Sequence, residues 1–115
     1  MRPLLPLLMM VGLAGCSKPG GRTLGTAVQG LELTVAGIQK AKMDSRIVVQ
    51  GTMTEKCPVA GCWFTLQDQT GSIQVDTKGA GFVVVEVPLK TSLVVAGRVT
   101  TNGAARILDA TGLRY

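Results

Sequence analysis

Cys57 and Cys62, separated by four residues, are the side chains of this sequence best equipped for chemistry. Lys56 precedes the first, and Trp63, the only tryptophan, follows the second. Two thiols at this separation offer three reactions. Oxidised, they close a small loop whose chain entropy stabilises a fold by about 2 kcal/mol. Reduced, they exchange disulfides, which needs a depressed thiolate pKa. The Cys-x-x-Cys spacing and helix N-terminus that usually depress it are missing here, and Lys56 is the one nearby cation in sequence. Together with Met53 they could hold a soft metal such as Cu(I), although the alternation around Met53 turns it towards the interior. A zinc site lacks four ligands, because the chain has no His. The same absence removes the commonest general base. No nucleophile–base pair or carboxylate constellation stands out; Gly79-Ala80-Gly81, with no Lys-Ser or Lys-Thr after it, reads as a turn. The expectation is a protein that is not an enzyme and carries no cofactor.

Compartment decides which thiol state to expect. Arg2 precedes an apolar run from Pro3 to Leu13, and small residues then lead to Cys16. Positive, apolar and small, in that order, are secretory-signal features, and the run is shorter than the about 20 residues that span a bilayer. Leu13-Ala14-Gly15-Cys16 also resembles the lipobox of bacterial lipoproteins. That resemblance implies cleavage before Cys16, lipidation of Cys16 and, with Ser17 next, sorting to the outer rather than the inner membrane. In an oxidising envelope the first expectation for Cys57 and Cys62 is a disulfide. Loss of Arg2 with the signal leaves 11 basic against 7 acidic residues, a net charge of +4, which suits solubility more than nucleic acid.

Three segments are expected: a signal peptide over 1–15, a lipidated Cys with a flexible Gly-rich tether over 16–30, and a domain over 31–115. Within the domain the apolar residues alternate, the mark of half-buried strands. Leu31, Leu33 and Val35 begin it, followed by Ile47 to Thr54, Cys62 to Gln67, Ile73 to Val75, Phe82 to Val87, Leu93 to Val99 and Ala105 to Leu113. Glu86 then reads as an outward carboxylate on an edge strand. Only 37–44 has room for a helical turn. Val48-Val49-Gln50-Gly51-Thr52-Met53-Thr54 is echoed by Val94-Val95-Ala96-Gly97-Arg98-Val99-Thr100. A Gly inside each strand suits the bends that close a small barrel. With aromatics at 3%, the core must be aliphatic.

Ile47 to Leu113 resembles the OB-fold domains, among them exported bacterial proteins with a Cys-Pro-x-x-Gly-Cys-Trp motif. The residues that carry the resemblance are Val48 to Gly51, Cys57 to Phe64, Leu66 to Gly71, Ile73 to Val75 and Ala80 to Val84. It implies an all-β fold, a small five-stranded Greek-key barrel, here with room for an extra N-terminal strand. Cys62, Phe64 and Leu66 take inward positions, so Trp63 points out. There it either stacks on a ligand or is covered by residues 31–38. Thr65 and Arg98 share its outward parity and, with Lys56, make a candidate binding face. One exposed ring is too few for a single-strand nucleic-acid binder. The expected function is an envelope-anchored accessory module that recognises a protein or peptide partner, since short barrels can accept a partner strand. Thiol-redox or copper handling by Cys57 and Cys62, and nucleic-acid binding, are the alternatives.

Overall fold

The computed structural model describes residues 21–59 and 61–115. The expected signal peptide and the lipidation site Cys16 lie outside the described residues. Seven strands, one short α-helix and a 3-10 turn follow in order among the described residues: β1 (Thr23–Gly25), β2 (Leu31–Glu32), α1 (Val35–Ile38), β3 (Arg46–Lys56), β4 (Trp63–Asp68), β5 (Gly71–Asp76), the 3-10 turn (Lys78–Ala80), β6 (Ser92–Asn102) and β7 (Ala105–Arg114). Five of the strands close on themselves. β3 pairs with β4, β4 with β5, β5 with β7 in parallel, β7 with β6, and β6 with β3. The expected five-stranded Greek-key barrel is therefore present, with two additional N-terminal strands.

Closure depends on β3, which serves two neighbours within the barrel besides the short β2. Arg46 to Thr52 pairs with β6, and from Thr52 onward the strand pairs with β4. The two echoed Val-Val-x-Gly segments turn out to be partners: Val49 lies opposite Val95, with Val48 opposite Ala96 and Gln50 opposite Val94. The expected bend occurs in β6, where the register with β7 shifts between Ala96 and Gly97. In β3 the shift comes later, between Met53 and Glu55. Gly51 instead lets β4 come close, since a Cβ there would stand 2.6 Å from the Gln67 carbonyl oxygen. Inside, Phe64 is packed among fully buried Ile47, Val49, Met53, Leu66, Leu93 and Leu108. Each such side chain contributes about 1.5–3 kcal/mol by leaving water.

Three expectations change. The Gly-rich segment expected to be a free tether to residue 30 is hydrogen-bonded to the barrel from Arg22 onward. Arg22 and Tyr115 exchange backbone bonds of 3.0 and 2.8 Å, and β1 runs antiparallel to the end of β7. Glycines on both sides of this crossing serve close approach: Gly25 of the segment has φ +76° against the Phe82 ring, and a Cβ on Gly112 of β7 would collide with the Thr26 carbonyl. Phe82 to Val87 is an irregular connection and not a strand, so Glu86 lies in a loop. Finally, the short run expected to begin as a strand at Leu31 pairs for two residues only, parallel to β3, before Thr34 caps α1 by accepting from Gly37 N–H.

The barrel has two differently closed ends. At one, α1 inserts Val35 and Ile38 into the core, and Arg106 Nη1 donates to the carbonyls of Ile38 and Ala41. At the other, the connection between β5 and β6 lowers Val84 and Val87 into the core. Lys56 Nζ donates to the carbonyls of Val84, Val85 and Val87, the last two at 2.8 and 2.6 Å. We call these the helix end and the loop end.

Candidate functional site

The Cys-Pro-Val-Ala-Gly-Cys-Trp segment forms the turn between β3 and β4 at the loop end. Cys57 N–H donates to the Trp63 carbonyl at 3.0 Å, continuing the register in which Lys56 faces Phe64 and Glu55 faces Thr65. Cys57 therefore faces Trp63, and Cys62 is one residue out of step with it. Gly61, at φ +63°, turns the chain between them while its carbonyl accepts from Val84 N–H. No disulfide joins Cys57 and Cys62, both half-buried, and the expected bond is corrected on that geometry. Met53 is fully buried in the barrel, as its parity required. Among the described residues no three His, Cys, Asp or Glu side chains are grouped to hold a metal ion.

The four residues assigned to one binding face separate. Trp63 and Thr65 do lie together on the outer side of β4, where Thr65 Oγ1 is 3.5 Å from Glu55 Oε1. Lys56 does not join them. The bulge after Met53 puts it opposite the buried Phe64, and its ammonium is engaged by loop carbonyls. Arg98 shares a ladder row with Trp63, through Asp76 and Asp109, but stands three strands further round the barrel. Its neighbour across β3 is Arg46. Residues 31–38 do not cover Trp63. They lie along the start of β3 and at the helix end, so Trp63 stays half-buried beside the loop-end turn.

A groove that sequence reasoning missed runs along the outer surface of β3. Its volume is about 890 Å³, and Gln50, Thr52, Thr54, Gln67, Gln69 and Ser92 give it amide and hydroxyl walls over a floor at Gly51. A second depression of about 500 Å³ continues it past Gln50 towards Glu32 and Arg114. The outward alternation of Gln50, Thr52 and Thr54 was legible. What formed the wall was not, because it comes from the turn between β4 and β5 and from the residues before α1.

Asp68 holds that wall in place. Its Oδ2 accepts from Val35 N–H at 2.9 Å, and its Oδ1 accepts from Thr70 N–H, Thr70 Oγ1 and Gly71 N–H at 2.7, 2.6 and 3.2 Å. Burial raises the pKa of this carboxyl, but the bonds from Thr70, Val35 and Gly71 outweigh it and hold the group below its ordinary range. One carboxylate thus fixes both the β4–β5 turn and the start of α1.

No family model matches the chain. The chain is 29% identical over 112 residues to the calcium-regulated OB-fold protein CarO of Pseudomonas aeruginosa, an alignment covering 91% of this chain and 89% of that protein. Its structure superposes on that of the hypothetical protein YgiW from E. coli with a TM-score of 0.59 at 17% identity, over 75% of this chain and 91% of the other. The fold is the OB-fold. The order β3-β4-β5-β7-β6, closed by β3 with β6 and carrying a parallel β5–β7 pair, satisfies it strand by strand.

Proposed function

We propose that this protein is a lipid-anchored accessory protein of the bacterial envelope that binds an extended peptide or protein segment in the groove along β3. The observation that carries the reading is the groove itself. It is open, and Gln50, Thr52, Thr54, Gln67 and Ser92 bring amides and hydroxyls that can both donate to and accept from a peptide backbone to a lining whose surface is mostly apolar. Charged groups are few along it, Lys90 at one edge and Asp68 already bound by four hydrogen bonds, so recognition rests on backbone shape. The anchor reading rests on Leu13-Ala14-Gly15-Cys16 and on the apolar run before it. It places the protein on the periplasmic side, at the outer membrane. CarO is named for calcium regulation; the proposal for this chain makes the groove, and no ion, the working part. Thiol chemistry at Cys57 and Cys62, copper handling and nucleic-acid binding stay behind it.

Two measurements test the reading. Full-length protein carrying a photo-crosslinking residue at Thr54 or Gln67 should capture a discrete partner in intact cells. The same residue at Gln74, exposed on β5 outside the groove, should not; equal capture at all three positions would refute the groove. Metabolic labelling with a palmitate analogue should mark the protein and be lost in Cys16→Ser, and an unlabelled wild type would refute the anchor.

A further inference from the structure

The loop end gathers features that the groove does not use. Val59 is 88% exposed, Val83 and Val85 are each 51% exposed, and Leu89 is 50% exposed. They belong to two loops held against each other, since Val84 N–H donates to the Gly61 carbonyl and Gly61 lies directly against Val85. The chain's only Trp and only Tyr lie at this same end. Trp63 starts β4 beside the turn, and Tyr115 lines a depression of about 280 Å³ with Leu24, Val83 and Val85. Apolar tips ringed by Trp and Tyr are the composition of a membrane–water interface, where one edge of the ring is apolar and the other wet.

The position of the chain's N-terminal part identifies the occupant. Arg22, clasped to Tyr115, is where the described chain joins the barrel, and it does so at the loop end. Cys16 is six residues upstream, so even a fully extended connection reaches only about 20 Å. A lipid on Cys16 therefore holds the loop end against the bilayer and cannot bring the helix end there. The β5–β6 connection carries Lys78 and Lys90 against Glu86, and Arg22 is clasped to Tyr115, a positive balance suited to lipid phosphate.

We infer that the loop end is a membrane-resting surface, with Val59, Val83, Val85 and Leu89 dipping into the headgroup and upper acyl region of a phospholipid bilayer. This rests on the lipid-anchor reading above. Such a seat fixes the barrel's orientation and leaves the β3 groove open along the side.

Trp63 is a built-in probe for the test. Full-length lipidated protein is reconstituted into phosphatidylglycerol-containing vesicles with and without brominated acyl chains, and vesicle flotation is read in parallel. The expected result is flotation with strong bromolipid quenching of Trp63. Val59→Glu and Val83→Glu, both at exposed positions the fold tolerates, should float equally but lose at least half of that quenching. Met43→Glu, exposed at the helix end, should quench like wild type. Flotation without quenching overturns the membrane seat while the anchor stands. So does quenching that both glutamates leave unchanged, and so does Trp63 protection seen only when envelope proteins are added, which assigns the loop end to a protein partner. Failure to float, with no palmitate label, overturns the anchor itself and the seat with it.

Discussion

The helix end and the loop end solve one problem by different means. A barrel must be plugged, and the plug must bring backbone carbonyls to a place where few donors exist. At the helix end the plug is regular: α1 supplies Val35 and Ile38, its first turn is capped by Thr34 and Asp68, and Arg106 meets the carbonyls of Ile38 and Ala41. At the loop end the plug is irregular, and one ammonium, Lys56, gathers three carbonyls. The difference shows outside. A helix can turn its apolar face inward and its polar face out. An irregular loop that inserts Val84 and Val87 leaves Val83 and Val85 facing solvent. Irregular closure thus creates a surface with something to bury.

The contrast can be broken from either end. Ile38→Ala should have the largest effect, about 2–5 kcal/mol, by leaving a cavity in the helical plug, read as a lower urea midpoint with unchanged slope. Val87→Ala should cost less, since fewer methyls are lost and an irregular loop can settle; equal costs would mean that both plugs are equally rigid. Next comes Lys56→Met, expected to cost about 1 kcal/mol, chiefly through the part-buried Val87 carbonyl losing its ammonium donor, since the Val84 carbonyl keeps the Val87 N–H. Its hydrogen exchange should quicken at the Val84 amide and not at Ile38. Arg106→Met should do the reverse, with a smaller change in midpoint.

Smaller still is the acid response of Asp68. Its folded pKa is lowered from 3.8, so its contribution is complete above that value and lost as the pH falls through the lowered one. The carboxylate is half-buried and screened by solvent, so the loss is about a fraction of a kcal/mol. It should appear as loosening of the β4–β5 turn below that pH, and Asp68→Asn should abolish the pH dependence. The smallest effect is at Thr77, whose Oγ1 is the buried side-chain oxygen without a hydrogen-bond partner among the described residues. Thr77→Val should leave the melting temperature unchanged or raise it, by no more than about 1 kcal/mol of stability.

Much of the barrel was legible because a period of two records which side of a strand faces the core. Ile47, Val49 and Met53, Phe64 and Leu66, and Leu93 and Val95 all went where alternation sent them. Parity failed where a bulge changed it, and Lys56 is the example: one extra residue after Met53 moved it from the outer face to the plug. Composition failed where one residue type serves opposite ends. The glycines of 20–30 read as flexibility, yet Gly25 belongs to a crossing too tight for any side chain. The apolar run Phe82 to Val87 read as an edge strand, whereas it is an irregular loop that sends Val84 and Val87 into the plug and leaves Val83 and Val85 outside, with no partner strand. The groove was invisible because its walls come from segments far apart in sequence, gathered by Asp68. The Cys pair was visible, but its separation alone did not reveal that the hairpin sets Cys57 against Trp63.

The clasp between Arg22 and Tyr115 carries a consequence for the order of folding. The hairpin of β4 and β5 can form from neighbouring residues at once, but Val49 must wait for Val95, and Thr23 for Arg114. Closing loops of that length is slow compared with local pairing. β1 is therefore expected to find its place late, and on the proposed lipid anchor the barrel would until then hang from a lead longer by the whole stretch from Arg22 to β2. An incompletely folded chain would roam where the finished one is held, so the clasp makes reach a report on whether folding is complete.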